Sequence, residues 1–149
     1  MNITTVRFGE IEIDENKIIT FEEGLPGFEE CKNFILLEAE DSKMIYWLQA
    51  VQFPEIALCV LNVFKAIEDY APFIPNDVFL ELKANEEDLL ALTVLVVPEK
   101  ISEMTTNLLA PILINHNLNI GKQCILDKGD YSARHKVFGN LKELISQGA

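Results

Sequence analysis

"LLALTVLVVP", Leu89 to Pro98, is broken by one polar residue, Thr93, and stops at a proline. A nearly continuous apolar run reads as a strand buried on both faces, the middle of a core. Pro98 ends it, because proline has no N–H to give to a ladder. The run is far shorter than the roughly 20 residues a membrane helix needs, so no span is expected.

Outward from this strand, the neighbouring segments also read as β. "ITTVRFGEIEID" alternates apolar and polar residues, which places Val6, Phe8, Ile11 and Ile13 on buried faces with Gly9 at a bulge or turn. "NKIITF" continues the pattern until "EEGLPGFEECKNF" breaks it with a tight loop at Gly24, Pro26 and Gly27, where Phe28 anchors a short turn. "FILLE", "MIYWLQAV" and "IALCVLNVF" follow as strands. Then Asn76 or Asp77 caps a short helix carrying Val78, Phe79 and Leu82, with Asn85 at its end. After the central run, "EKISEMTTNLLA" is irregular or weakly helical, and "PILIN" and "NIGKQCIL" form a hairpin with "HNL" near its tip. Leu141, Leu144 and Ile145 share one stripe of a helical tail. The gaps are too short for a helix between successive strands, which excludes a doubly wound fold. The expectation is an all-β fold, a mainly antiparallel pseudo-barrel or sandwich of roughly eight or nine strands. One or two short helices are added to it, one of them at the C-terminus.

The chain has 149 residues, 49% hydrophobic and 24% charged, a globular composition. One domain over 1–149 is expected, with its core at about 3–138 and the helical tail at 139–149. No basic segment followed by an apolar one opens the chain, so no signal peptide is expected and the "NIT" sequon is chance. Cys31, Cys59 and Cys124 are an odd number without a CxxC, read as reduced, buried thiols of a cytoplasmic protein.

Charge is uneven. The net charge is −12; residues 1 to 99 hold 20 acids against 6 bases, and residues 100 to 149 hold 4 against 6. An acidic field repels phosphate backbones, so direct nucleic-acid binding is not expected. It steers a basic protein partner instead, unless it serves solubility alone. Glu38, Glu40 and Asp41 are candidate contacts for such a partner.

Motifs for chemistry are missing. No glycine-rich phosphate loop occurs, and none of Ser42, Ser102, Ser132 and Ser146 sits in a GxSxG elbow. His116 and His135 are nineteen residues apart, without metal-ligand spacing. The adjacent acids Glu22-Glu23, Glu29-Glu30 and Glu86-Glu87-Asp88 read as solvated turns rather than a catalytic pair. Neither an enzyme nor a cofactor, metal or small-molecule substrate is expected.

Five phrases do stand in order: "GLPGF" after the first strands, "WLQAV", "DYAPFIP", "MTTNLLAPILIN" and "GKQCIL". Together, from about Ile3 to Phe138, the chain resembles the flagellar assembly factor FliW family. It departs mildly where Ala50 follows Gln49, a position often serine, and at Leu113. The resemblance implies a small cytoplasmic β-protein that binds flagellin and the RNA-binding translational regulator CsrA, which compete for it. Free of flagellin, such a protein captures CsrA and relieves repression of flagellin translation. The motif positions it marks are Gly24, Pro26, Gly27, Phe28, Gln49, Ala110, Pro111 and Gln123. Within "NLLAPILIN", Pro111 opens a strand, Asn107 bonds its own backbone two residues on, and Asn115 ends the strand, while Leu108, Ile112 and Ile114 pack inside. Asn107 and Asn115 are read as framework or as partner contacts. A small barrel binding an apolar ligand is the alternative, prompted by nine phenylalanines. A hydrolase built on scattered acids is a third.

Overall fold

The computed structural model describes residues 1–39, 43–126 and 131–139. Its strands are β1 (Asn2–Thr5), β2 (Gly9–Glu12), β3 (Ile19–Thr20), β4 (Asn33–Glu38), β5 (Ile45–Ala50) and β6 (Ala57–Asn62). Two short helices follow, α1 (Val63–Ala66) and α2 (Asn76–Leu82). The chain then runs through β7 (Leu89–Val96), β8 (Thr105–Thr106), β9 (Ile112–Asn115), β10 (Ile120–Gln123) and β11 (His135–Lys136). This is the expected all-β fold with short helices. The stripe of Leu141, Leu144 and Ile145, and with it the C-terminal helix, lies outside the described residues.

Strands β7, β6, β5, β4, β3, β10 and β9 pair in that order, and β9 pairs back to β7, closing the sheet on itself. An odd number of strands cannot alternate direction all the way round a closed ring. One parallel seam is therefore required, and it lies where β10 meets β3, Ile120 beside Thr20. Strands β8 and β11 extend the sheet sideways from the far end of β7.

Strand β7 is the hub. Its Leu92 pairs with Asn62 of β6 on one side and Ile112 of β9 on the other. Its side chains serve two cores in alternation. Leu92, with Leu90 and Val94, points into the barrel among Phe21, Phe34, Leu48, Val60, Ile112 and Ile114. Ala91 and Leu95 point outward into a second core of Leu61, Val63, Val78, Leu82, Met104 and Leu113, roofed by α1 and α2. Hence the apolar run has no polar face. Thr93 is its one exception, fully buried, and its hydroxyl receives the Thr106 hydroxyl proton at 2.7 Å. A third, smaller core explains "FILL": Phe34 and Leu36 face inward, while Ile35 and Leu37 face Ile3, Ile11 and Ile13 of the β1–β2 hairpin. The hairpin is held at its tip as well, where the Arg7 guanidinium lies 3.8 Å from the centre of the Trp47 ring and Phe8 meets the same ring edge-on.

Local differences from the sequence reading have local causes. Val6 is 75% exposed rather than buried, because alternation stops at Thr5. The Thr5 hydroxyl donates to the Gly9 carbonyl and accepts the Phe8 N–H, closing a turn that puts Val6 outside. Helix α2 starts after Pro75, without a side-chain cap from Asn76 or Asp77, and ends at Lys83 in the left-handed conformation. Asn85 belongs to the next turn, where its N–H is bound by the Asp88 carboxylate. Phe64 leaves the "IALCVLNVF" strand and lies in α1, and "EKISEMTTNLLA" contains strand β8. No helix among the described residues is long and apolar enough to cross a membrane.

Candidate functional site at the barrel mouth

The "GLPGF" loop covers one end of the barrel as a series of tight turns. Gly24 donates to the Phe21 carbonyl at 2.9 Å, Phe28 to that of Leu25 at 2.7 Å, and Cys31 to that of Phe28 at 2.9 Å. Leu25 is thereby driven into the barrel, where it is buried, and Phe28 is half-buried against the same core. Gly24 has φ +68°, and a Cβ there would stand 2.6 Å from the Cα and carbonyl oxygen of Glu29. Gly27 has φ +87° but faces open space. Its N–H donates to the Glu29 carboxylate at 3.2 Å. Backbone N–H groups of Glu29 itself and of Gly27 hold that carboxyl below its ordinary value.

The opposite wall is the segment before β9. The Asn107 N–H donates to Val94 at 3.0 Å, and its side-chain oxygen accepts the Leu109 N–H at 3.0 Å, the two-residue bond expected from the sequence. Ala110 is buried, and its carbonyl accepts the Gln123 amide at 3.0 Å. Pro111 precedes β9, and its carbonyl accepts from Cys124. Tyr70 of "DYAPFIP" donates its hydroxyl to Leu108 at 2.7 Å, tying that loop to the same segment. Burial pushes its phenol pKa up.

Between the walls runs a groove of about 720 Å³. It is lined by Leu25, Pro26 and Phe28 from one motif phrase, by Asn107 and Gln123 from two others, and by Leu58, Val94 and Val96 of the splayed strand ends. Val96 is 58% exposed in it, with Glu103 and Arg134 among its charged lining. Beyond Pro26 and Gln123, which line both, lies a second cleft of about 530 Å³ containing Glu22, Glu23, Glu29 and Glu81. Lys122 stands among these acids, 2.5 Å from Glu81 and 3.7 Å from Glu23. Its pKa is raised, chiefly by the hydrogen bond to Glu81. The more apolar groove thus lies directly beside a cleft rich in carboxylates.

The structure thus gathers Pro26, Phe28, Asn107 and Gln123 at one groove, with Gly24 and Gly27 shaping its rim and Ala110 and Pro111 behind it. Gln49 lies elsewhere. It is buried, and its amide nitrogen lies within 3.4 Å of four carbonyls, those of Ala50, Phe53, Pro54 and Ile56, pinning the β5–β6 loop. Its Oε1 has no partner among the described residues. Asn115 is buried too. It donates to Leu82 at 2.8 Å and to Lys83 at 3.3 Å, and accepts from Asn117 and Leu118. With its amide engaged inside the molecule, Asn115 joins α2 to the barrel. Glu38 is exposed at the end of β4, while Glu40 and Asp41 lie outside the described residues. Sequence reasoning missed Lys122 and Val96, although Lys122 sits within "GKQCIL" and Val96 at the end of the central run. The barrel interior is filled by its own side chains, with Phe21, Phe34, Leu48 and Ile112 fully buried. Among the described residues no three His, Cys, Asp or Glu side chains are placed to hold a metal.

Comparison with known proteins gives a consistent result. The family described as "FliW protein" matches residues 2–137. The flagellar assembly factor FliW of Caldanaerobacter subterraneus is 42% identical over 151 residues, covering 98% of this chain and 99% of its own. That of Caldicellulosiruptor saccharolyticus is 37% identical over 141 residues, covering 94% and 92%. A solved chain described as a crystal structure of the flagellar assembly factor FliW superposes with a TM-score of 0.85 at 33% identity, covering 92% of this chain and 96% of that one.

Proposed function

The chain belongs to the FliW family of flagellar assembly factors, and from that premise we propose that it is a non-enzymatic regulator binding flagellin and a CsrA-type RNA-binding protein in turn. Flagellin occupies it while subunits accumulate. Export of flagellin frees it to capture the regulator and lift repression of flagellin translation. The observation that carries this reading is the convergence of three motif phrases on the one groove at the barrel mouth. The acidic cleft beside it and the net charge of −12 suit a regulator that is basic because it binds RNA. An apolar-ligand barrel has less support, since side chains fill the interior.

The reading is tested with purified components. The chain should form a complex with flagellin and, separately, with the CsrA-type protein, and each should displace the other. Failure to bind either one sinks the proposal, as does direct RNA binding by this chain. An RNA titration of the regulator at several fixed concentrations of this protein then defines the antagonism. Coupling between separate sites gives a plateau, typically a 5- to 150-fold change in affinity or about 1 to 3 kcal/mol, and it is reciprocal. Occlusion of the RNA surface gives a shift that grows without limit.

A further inference from the structure

Helix α2 carries three stripes. Val78 and Leu82, four apart, are buried in the outer core; Asp77 and Glu81, also four apart, flank the acidic cleft that Glu81 lines. The third stripe is Asn76, Phe79, Leu80 and Lys83, all exposed except the half-buried Phe79. Leu80 is 77% exposed, and Phe73, in the loop entering the helix, is 71% exposed. Phe79 stands between two clefts of about 560 and 340 Å³, the first shared with Leu80 and Ala84, the second with Phe64 and Ile74. Scattered apolar residues are ordinary on a surface; a cluster rimmed by charge marks a binding site.

The surroundings are mostly acidic, with Glu86 lining the second cleft and Lys83 the one charged residue lining the first. Residues 64 to 88 hold seven acids and two bases. Glu68, Asp69, Asp77, Glu86 and Glu87 make no ion pair among the described residues. Such a field turns away phosphate and anionic lipid. It also disfavours a second copy of this chain, which would set the same acids against each other.

We propose that the outward face of α2, centred on Phe79 and Leu80, docks a basic amphipathic segment of a protein partner. Apolar side chains of that segment seat in the clefts beside Phe79, and its lysines or arginines meet the carboxylates around them. This surface is distinct from the barrel-mouth groove, and the proposal holds whether or not the partner is the regulator named above.

The probe is a fluorescein-labelled helical peptide with leucines at i, i+3, i+4 and i+7 and lysine or arginine elsewhere, titrated into the full chain by anisotropy. The same leucine pattern with glutamates is the control. Saturable binding of the basic peptide alone is expected, with NMR amide shifts centred on residues 64 to 88. Leu80→Ser and Phe73→Ser should each weaken it about tenfold, and Val6→Ser, in the β1–β2 turn, should leave it unchanged. Melting curves check each variant, and Phe73→Ser carries the test if Leu80→Ser is unstable. Equal binding of the acidic peptide, shifts centred on the barrel mouth, no saturable binding, or unchanged affinity in the serine variants would each overturn the proposal. Loss of regulator binding with this peptide result intact would bear on the function proposed above and not on this surface.

Discussion

The barrel mouth and the outward face of α2 are both open to solvent, yet they are built on opposite plans. At the mouth, polar atoms are committed: Asn107 to Leu109, Gln123 to Ala110, Gly27 to Glu29. Motif residues there mostly hold backbone in place, so the groove presents a preset shape in which Pro26 and Val96 stay exposed. On α2 the backbone is an ordinary helix, and Leu80 on it and Phe73 in the loop before it stand largely in solvent. Recurrent sequence phrases therefore locate the rigid frame of a surface. The free contacts lie beside the frame, in residues without a distinctive pattern.

If that contrast is right, substitutions at the mouth act first on stability, and those on α2 act on binding. Gly24→Ala is the severest test, because its Cβ collides with Glu29 backbone in a left-handed conformation. A loss of about 3 to 4 kcal/mol is expected in denaturant unfolding. Gly27→Ala has the same sign of φ but empty space around it, and should cost only about 1 to 2 kcal/mol. Equal losses would mean that conformation alone, not the close approach to Glu29, governs this loop.

Asn115→Ala removes the bonds that hold the end of α2 to β9. Leaving the buried Leu82 carbonyl without this partner should cost about 2 to 3 kcal/mol. Amide exchange should speed up in α2 before the barrel strands. Uniform acceleration would show that α2 is not separately anchored. Phe28→Ala, at a half-buried ring, should cost about 1 to 2 kcal/mol and open the groove. An unchanged melting point with lost flagellin binding would move Phe28 from frame to contact.

Two charge tests give the smallest effects. The raised pKa of Lys122 means that its contribution is complete below the unfolded value of about 10.5 and is lost as pH climbs through the higher folded value. Lys122→Met should therefore cost about 0.5 to 1 kcal/mol at neutral pH, for a partly exposed pair, and nothing in strong alkali. A cost that persists above the folded pKa would make the lysine's stem, not its charge, the stabilising part. Glu38→Lys should leave stability within about 0.5 kcal/mol and slow capture of a basic partner at low salt. Stopped-flow association at two ionic strengths decides whether the acidic field steers.

Much of this arrangement was legible in the residues. The central apolar run fixed β7 between two cores, and "NLLAPILIN" was readable down to the Asn107 bond because asparagine chemistry is local. What stayed hidden depends on distant neighbours. Strands β3, β8 and β11 are two residues each, too short to show a period, and exist because longer strands present them an edge. Gln49 shares a phrase with Trp47 but works on the loop beyond its strand, and the phrase alone does not say in which direction its amide turns. Nor does the short stripe of α2 separate an apolar residue that packs, Val78, from one that does not, Leu80. Of the three candidate acids, Glu40 and Asp41 lie outside the described residues.

The parallel seam between β3 and β10 also sets an order of events. Ile120 must find Thr20 across about a hundred residues of chain, whereas β4, β5, β6 and β7 meet their partners close at hand. Local pairings form sooner than distant ones, because a long loop must be closed before the contact rewards it. On the ribosome, β3 waits as a bare edge until β10 has emerged. A nascent chain stopped short of Ile120 holds most of a sheet with nothing to close it, and its unpaired edges invite aggregation. Closure of the ring therefore waits on the synthesis of β10.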